Sequence, residues 1–186
     1  MKEVKLFNSL TNQNEVFTPL KEGEVSLYVC GPTVYSSPHI GNFRPVICFD
    51  VLKKLFSYLG YKVTFVSNYT DVDDKIINRA KELGISEKEL TLSVIDEFRG
   101  LVSAVGSDQP DITPKPTEYM DKIIAYIDDL VKNGSAYAVD GDVYFKVSSV
   151  KGYGDLSGNS VEKLMEGARI EVNSKKESPL DFALWK

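Results

Sequence analysis

Cysteine and histidine are scarce in this chain of 186 residues, which contains two cysteines and one histidine. Two cysteines do not form a disulfide framework, and such low usage favours a reducing, cytoplasmic setting. Cationic residues are not in excess either, since 22 Lys and Arg stand against 27 Asp and Glu and the formal net charge is −5. This balance argues against a protein whose main task is non-specific binding of nucleic acid, although a local basic patch remains compatible with it.

Long apolar runs are also missing. No stretch approaches the ~20 apolar residues that a membrane-spanning helix needs. The beginning of the chain, MKEVKLFNSLTNQNEVF, lacks the apolar core of a secretory signal. We therefore expect no membrane partner. The length suits one large domain, or one domain with a sizeable insertion, and a hydrophobic content of 42% is ordinary for a globular protein.

The spacing of apolar residues predicts the element order β-α-β-α-α from residue 24 to residue 105. This order favours a parallel α/β unit with right-handed crossovers. The predicted strands lie at 24–30 and 61–68. The first predicted helix begins near Gly41 with Pro45 in its first turn, and its apolar face is predicted to hold Cys48, Val51, Leu52, Leu55 and Leu59. The second helix is capped by Thr70 and ended by Gly84, and the third has a Ser86–Glu89 capping box and a buried face of Leu90, Val94, Phe98, Leu101 and Val105.

The composition of the chain changes within residues 107–116, where three prolines mark a boundary between segments. Residues 111–186 are predicted to hold an amphipathic helix at 117–132, a hairpin that turns at Asp140-Gly141 and a Gly/Ser-rich loop at 151–160. The inward residues of the helix are predicted to be Ile123, Ile124, Ile127 and Val131. The final stretch, SPLDFALWK, is apolar and uncapped, which we interpret as a chain that is truncated or that docks on a missing segment.

The window VCGPTVYSSPHIGNFR (29–44) concentrates the reactive side chains, because Cys30 and the single histidine, His39, both lie in it. The tetrapeptide HIGN leaves the first strand and enters the first helix, where unpaired backbone N–H groups attract anions. Gly41 lets the backbone approach a phosphate, and the imidazole and the Asn42 carboxamide could donate to oxygens that gain charge. The window matches neither a P-loop nor a dinucleotide fingerprint. On four residues alone, a histidine that only bonds its own loop is the simpler interpretation.

Further motifs, before and after this window, point in the same direction as the window itself. Together they resemble the class I aminoacyl-tRNA synthetases and, within them, closely the cysteinyl-tRNA synthetases. The stretches that carry the resemblance, besides residues 29–44, are LFNSLT (6–11), GYKVTFVSNYTDVDDKIINRA (60–80), GDVYF (141–145), YGDLSG (153–158), GARIEV (167–172) and PLDFALWK (179–186).

The resemblance implies a Rossmann-like, parallel-sheet α/β catalytic domain, with its first half in residues 1–110 and a small α+β connective insertion in residues 111–186. It implies activation of L-cysteine by ATP, with Mg²⁺, to cysteinyl-adenylate, followed by transfer to tRNA(Cys). His39 and Asn42 would be catalytic, holding the ATP phosphates and stabilising the transition state, and Gly31 and Thr70 would line the cysteine pocket. The ATP-binding residues implied are Pro32, Thr33, Val34, Tyr35, His39, Ile40, Gly41 and Asn42.

The resemblance also implies a zinc ion, with Cys30 as one ligand and the other ligands on segments that this chain does not contain. A Zn²⁺ with an open position binds a thiolate far better than a hydroxyl, so it would help to reject serine. The acids of TDVDDK, Asp71, Asp73 and Asp74, suggest a competing Mg²⁺ site, but first-turn acids of a helix are favoured for Asp73 and Asp74. Cys48 is predicted to be a buried structural cysteine.

Two alternatives to a cysteine–tRNA ligase stay open from the sequence. One is the sister ligase family, which uses cysteinyl-adenylate to acylate an amino sugar in thiol biosynthesis. The other is a non-catalytic, truncated relative that binds ATP, tRNA or the C-terminal half of a synthetase. If the chain is part of a cysteine–tRNA ligase, the 186 residues by themselves are expected to be inactive.

Overall fold

The computed structural model describes residues 3–158 and 175–186 and divides into two compact units. The first unit comprises residues 18–120, and the second comprises residues 3–17 together with the described residues after 120. The GARIEV motif and the last two residues of the predicted 151–160 loop lie outside the described residues. In chain order the elements are β1 (Lys5–Asn8), β2 (Gln13–Val16), β3 (Glu24–Val29), α1 (Ile40–Tyr58), β4 (Lys62–Ser67), α2 (Asp74–Leu83), α3 (Glu87–Ala104), α4 (Met120–Lys132), β5 (Ala136–Val139), β6 (Asp142–Phe145) and β7 (Phe182–Trp185).

The first unit is built on a parallel strand pair. β3 and β4 pair in register from Glu24 opposite Lys62 to Val29 opposite Ser67, and α1 connects them. A parallel bridge between Val66 and Ile112 extends the pairing beyond β4. The predicted element order and the predicted parallel pairing are both confirmed.

The core of the first unit lies where α2 and α3 pack on the loops that follow the two strands. Phe98 of α3 is at its centre, stacked on Phe43 with 5.6 Å between ring centroids and edge-on to Tyr69 at 5.9 Å. Leu90, Val94 and Phe98 are buried as predicted, whereas Leu101 and Val105 are exposed and that part of the prediction is wrong. The other buried members of this core are Val34, Ile76, Ala80, Ile95 and Val102.

Helix α1 differs from its prediction in two ways. It begins at Ile40, so Pro45 lies inside the helix rather than in its first turn. Its predicted apolar face is also wrong, because Cys48, Val51 and Leu55 are exposed while Asp50 and Phe56 are buried.

Asp50 tolerates burial because its carboxylate is fully engaged. It accepts a hydrogen bond from Lys54 Nζ at 2.8 Å and one from the backbone N–H of Asp108 at 3.0 Å. A buried charge is retained only when it is paired and hydrogen-bonded in this way. The contact ties α1 to the segment that follows α3.

The caps of the next helices are partly as predicted. Asp73, not Thr70, caps α2, and its carboxylate accepts from the backbone N–H of Lys75 at 2.8 Å. Gly84 ends α2 with a φ of 66°, as predicted. Ser86 caps α3 by accepting from the N–H of Glu89 at 3.2 Å, which confirms that start signal.

The second unit contains the predicted hairpin and a strand that was not predicted. Asp140 and Gly141 have φ values of 50° and 87°, the pair of positive angles that a two-residue type I′ turn requires, and β5 pairs antiparallel with β6. β7, within the apolar final stretch, pairs antiparallel with β6. The hairpin β1–β2 was not predicted either. In α4 the predicted inward residue Ile124 is exposed.

A buried carboxylate organises the end of this unit. Asp181 accepts from the Tyr137 hydroxyl at 2.8 Å and from the backbone N–H groups of Val147 at 3.0 Å and Ser178 at 3.1 Å. Burial is the main cause that raises the pKa of Tyr137 above its ordinary value, and the hydrogen bond to Asp181 acts in the same direction. The tyrosine therefore stays a neutral donor to that carboxylate.

The two compact units do not coincide with the predicted division at residues 110 and 111, because residues 3–17 fall in the same unit as the end of the chain. The assignment of 1–110 to a catalytic half and of 111–186 to an insertion stays a prediction. Among the residues that the structure describes, no helix is both long enough and apolar enough to cross a bilayer.

Candidate functional site

The site is built where the chain leaves β3 and β4, at the carboxyl ends of the two parallel strands. The backbone N–H of Thr70 donates to the carbonyl of Pro32 at 3.0 Å, and the N–H of Val34 donates to the carbonyl of Thr70 at 3.1 Å. Thr33 and Thr70 form a parallel bridge. The predicted ATP loop and the predicted cysteine-pocket residue Thr70 are thus held side by side.

Gly31 and Asn68 meet at the same edge, closer than any side chain on residue 31 would allow. A Cβ on Gly31 would lie 1.6 Å from the backbone oxygen of Asn68. The side chain of Asn68 accepts from the N–H of Gly31 at 3.0 Å and donates from Nδ2 to Thr70 Oγ1 at 3.1 Å. Asn68 therefore links the two residues predicted to line the cysteine pocket.

Asn68 was not predicted as a site residue, although the sequence holds a signal for it. It is the last residue of the predicted strand 61–68, and polar groups at the carboxyl ends of parallel strands face the ligand-binding edge. The missing information was the register: Val29 pairs with Ser67, which sets Asn68 beside the Cys30–Gly31 turn.

The HIGN tetrapeptide forms the N-terminal cap of α1. His39 is the N-cap residue, and its Nδ1 accepts from the N–H of Gly41 at 3.1 Å. Asn42 Oδ1 accepts in return from the N–H of His39 at 2.8 Å. The simpler interpretation, a histidine that bonds its own loop, is therefore correct for one of the two ring nitrogens.

This cap determines which atoms remain for a ligand. With Nδ1 used as an acceptor, the neutral imidazole carries its proton on Nε2, so the second nitrogen is a donor. With Oδ1 of Asn42 used as an acceptor, the NH2 group remains available as a donor. Both side chains thus keep donors at a helix N-terminus, where the dipole favours negative charge. Gly41 permits the arrangement, because a Cβ there would lie 2.9 Å from His39 Cε1.

Residues from both strand ends and from α1 surround a cavity of about 160 Å³. Its rim includes Cys30, Gly31, Pro32, Gly41 and Asn42, and its apolar floor includes Phe65, Tyr69, Phe98 and Val102. A smaller hollow of about 50 Å³ is lined by Pro32, Thr33, Val34, Tyr35, His39 and Asn42, among others. Thr70 and Ile40 line neither, and Ile40 is 91% exposed at the start of α1.

Cys30 is an exposed free thiol, 3.7 Å from the carbonyl oxygen of Gly31. Within residues 3–158 and 175–186, no three His, Cys, Asp or Glu side chains come together in a way that could hold a metal ion. The described residues therefore do not form a zinc site by themselves, and Cys30 as a zinc ligand stays a prediction. Cys48 adds nothing there, because it is exposed on α1 and lines neither hollow.

The acids of TDVDDK are engaged in the loop and in the helix cap. Asp71 accepts from the backbone N–H of Thr117 at 3.2 Å and from its hydroxyl. Asp73 is the N-cap of α2, and Asp74 is in its first turn, as the favoured interpretation predicted. Lys75 lies over the ring of Tyr35, with its Nζ 5.4 Å from the centroid.

The Asp111 carboxylate is hydrogen-bonded to the backbone of β4. Asp111 accepts from the N–H of Phe65 at 2.7 Å and from Lys53 Nζ at 3.2 Å. The backbone donor is the main cause that lowers the pKa of Asp111, and Lys53 adds to it. The charged form of Asp111 therefore holds β4, which ends at Ser67, next to Asn68.

A parallel strand–helix–strand unit whose polar groups gather at the carboxyl ends of its strands defines the α/β class of proteins that bind ligands at this edge of the sheet. The family described as "tRNA synthetases class I (C) catalytic domain" matches residues 16–186, and the chain belongs to it.

Curated relatives match almost the whole chain. It is 54% identical over 183 residues to the cysteine–tRNA ligase of Exiguobacterium sibiricum, and this match covers 98% of this chain and 39% of that protein. It is 50% identical over 184 residues to the cysteine–tRNA ligase of Finegoldia magna, which covers 98% of this chain and 40% of that protein. The chain thus spans about two fifths of the length of these relatives.

Solved structures with similar backbones are also synthetases. The Mycobacterium tuberculosis methionyl-tRNA synthetase in complex with methionyl-adenylate matches with a TM-score of 0.55 at 18% identity, over 66% of this chain and 25% of that one. The LeuRS–tRNA–LeuAMS ternary complex from Agrobacterium radiobacter matches with a TM-score of 0.56 at 21% identity, over 71% of this chain and 18% of that one. These likenesses confirm the predicted Rossmann-like α/β class I fold.

Proposed function

We propose that this chain works in cysteine–tRNA ligation, in which ATP activates cysteine to cysteinyl-adenylate and the cysteinyl group passes to tRNA(Cys). The observation that carries the proposal is the 50–54% identity to cysteine–tRNA ligases over 98% of the chain, a stretch that includes every residue of the site. A cytoplasmic location belongs to the same proposal, because the two free thiols stay reduced there.

The ATP side of the proposal rests on the α1 cap. In the first step the cysteine carboxylate attacks the α-phosphorus of ATP, and pyrophosphate leaves. Negative charge grows on the phosphate oxygens, and the donors His39 Nε2 and Asn42 Nδ2 at the N-terminus of α1 suit that charge. Pro32, Thr33, Val34 and Tyr35 are proposed to shape the adjoining hollow.

The cysteine side rests on the edge where Gly31 and Thr70 meet. Gly31 offers a carbonyl, which suits the α-ammonium group, and Thr70 offers a hydroxyl. Cys30 is proposed to supply one thiolate to a zinc ion whose other ligands lie outside the described residues. Mg²⁺ would accompany ATP as its phosphate counter-ion, and tRNA(Cys) would meet the adenylate through regions mostly outside this chain.

ATP–pyrophosphate exchange tests the proposal at the protein's native length. We expect exchange that depends on cysteine and not on serine, followed by charging of tRNA(Cys). The 186 residues alone are expected to give no exchange until the remainder of a synthetase chain is supplied. Equal exchange with serine, or none with any amino acid at native length, would contradict the proposal. Exchange with acylation of an amino sugar in place of tRNA would favour the sister ligase.

Two substitutions separate donation to ATP from helix capping. His39→Asp keeps a good N-cap but has no side-chain donor, and Asn42→Asp keeps the acceptor for His39 N–H but removes the NH2 donors. Each is expected to lower kcat of exchange about 100-fold, the effect typical of one lost transition-state donor. Asn133→Ala is the matched control, since Asn133 follows α4 and accepts from Ser135 N–H outside both hollows. An unchanged kcat in both site variants would refute the assigned roles.

A further inference from the structure

We propose that Asn68 is a positioning residue for the amino-acid substrate. It holds the Thr70 hydroxyl as a hydrogen-bond donor towards the substrate, and it commits Gly31 to present its carbonyl rather than its N–H. The inference rests on the proposed function, because it takes Gly31 and Thr70 as the cysteine-facing residues.

The contacts of the Asn68 carboxamide leave no choice of orientation. Its oxygen accepts from a backbone N–H, that of Gly31, at 3.0 Å, and also from the Tyr28 hydroxyl at 3.2 Å. A backbone N–H can only donate, so the amide oxygen must face Gly31 and the NH2 group must face Thr70. The 3.1 Å bond from Nδ2 to Thr70 Oγ1 agrees with this assignment.

The orientation of the Thr70 hydroxyl follows. An NH2 group has no lone pair for a hydroxyl proton, so Thr70 accepts from Asn68 and must direct its own proton elsewhere. No acceptor for that proton is found among the residues that the structure describes, and Thr70 is a half-buried residue just after β4. The carboxylate oxygens are the strongest acceptors that cysteine offers, so we assign them as the partner.

Gly31 is fixed by the same side chain. Its N–H is consumed by Asn68, and its Cα lies against the backbone carbonyl of Asn68 so closely that no Cβ fits. The Gly31 peptide therefore cannot donate to a carboxylate or phosphate and contributes an acceptor only. Together, Thr70 as donor and Gly31 as acceptor match the two charged ends of a free amino acid.

Asn68→Asp isolates the proposed role from a merely structural one. The carboxylate still accepts from Gly31 N–H, so the clamp on the loop stays, but it can also accept from Thr70 and turn that hydroxyl away from the substrate. We expect KM for cysteine to rise about tenfold, the equivalent of one lost hydrogen bond to a charged group, while KM for ATP stays within about twofold of the wild-type value. Tyr28→Phe removes the third bond to Asn68 and is the control, with both KM values expected to be unchanged.

A double-mutant cycle with Thr70→Val removes the remaining ambiguity. If Asn68 acts through the Thr70 hydroxyl, Asn68→Asp has less than about a twofold effect on KM for cysteine in a T70V background. If the added charge or a fold defect is the cause, the same tenfold effect appears in both backgrounds, and the inference is overturned. Asn68→Ala and the Asn68→Ala/Thr70→Val pair repeat the cycle without a charge change.

The wild-type protein, assayed first at native length, separates the two levels of failure. Absence of cysteine-dependent exchange in the wild type overturns the proposed function and this inference with it. Normal wild-type exchange with an unchanged KM for cysteine in Asn68→Asp overturns the inference alone. Circular dichroism spectra of each variant show whether a raised KM accompanies loss of fold, which would also count against it.

Discussion

Replacing Gly31 by alanine should destabilise the first unit strongly, and the structure shows why. The new Cβ would lie 1.6 Å from the backbone oxygen of Asn68, 2.8 Å from its carbonyl carbon and 3.1 Å from Ser67 Oγ. Contacts under 3.0 Å essentially never occur for real Cβ atoms, and two of these neighbours are backbone atoms that no rotamer change can move. The turns after β3 and β4 must therefore separate by more than an ångström.

The magnitude follows from what that separation breaks. Overpacking costs about 1–3 kcal/mol. The hydrogen bonds Gly31 N–H to Asn68 and Thr70 N–H to Pro32 lie at the clash, and each contributes about 1 kcal/mol. We expect Gly31→Ala to lower the free energy of unfolding by about 3–5 kcal/mol, a large fraction of the 5–15 kcal/mol typical of a domain.

Urea denaturation followed by circular dichroism measures this change, because α1, α2 and α3 all belong to the first unit. Fluorescence of the single tryptophan, Trp185, records the second unit separately. Gly100→Ala is the matched control, since Gly100 lies within α3 with open space at its Cβ, and alanine should stabilise the helix by about 0.5–1 kcal/mol. A Gly31→Ala midpoint equal to wild type would refute the close approach of the two turns.

Three further outcomes are expected from local features of the fold. The pKa of Asp111 is lowered below its ordinary value of 3.8, so the folded chain binds that proton less readily than the unfolded chain. Stability is therefore lost as the pH falls from above 3.8 through the lower pKa of the folded chain. Asp111→Asn should flatten the fall of the urea midpoint between pH 6 and pH 3. Asp73→Ala removes the cap of α2 and should cost about 1 kcal/mol in urea denaturation, whereas Asp73→Ser should cost much less, and equal losses would argue against the cap. Gly141→Ala forces a φ of 87° on a residue with a side chain and should destabilise the β5–β6 hairpin by about 1–2 kcal/mol in thermal unfolding, and a neutral result would exclude the type I′ turn.

The apolar pattern of α1 illustrates where sequence reasoning fails. The order of elements around it was predictable, because strand and turn signals alternate clearly from residue 24 to residue 84. The buried face was not, since α1 carries apolar residues on more than one side: Val51 and Leu55 are exposed, and Phe56 is buried. Asp50 could not be assigned to the core from the sequence, because its partner Asp108 lies 58 residues further along the chain.

The start of α2 shows a different limit. The stretch TDVDD offers several side chains that can cap a helix, and local chemistry does not choose among them. The choice is made by pairing with a distant segment, because the backbone of Thr70 bonds Pro32 and Val34 and so cannot enter a helix. The same non-local pairing sets Asn68 beside Gly31. HIGN was predictable only as the entrance to α1, and the capping box between His39 and Asn42 was not predicted.

The α1 cap leaves hydrogen-bond donors of His39 and Asn42 available at the start of the helix. The bond from Gly41 N–H occupies Nδ1 and thereby fixes the proton of the neutral ring on Nε2, while the bond from His39 N–H occupies Oδ1 of Asn42 and fixes its amide. Each side chain therefore uses its acceptor atom within the helix cap and keeps its donor group available. Because the helix dipole adds a positive potential at the same point, this end of α1 combines several donors with a potential that favours anions. A neutral histidine in place of Asn42 would use one ring nitrogen to accept from His39 N–H and would keep one donor hydrogen. The Asn42 carboxamide accepts the same bond and keeps two donor hydrogens.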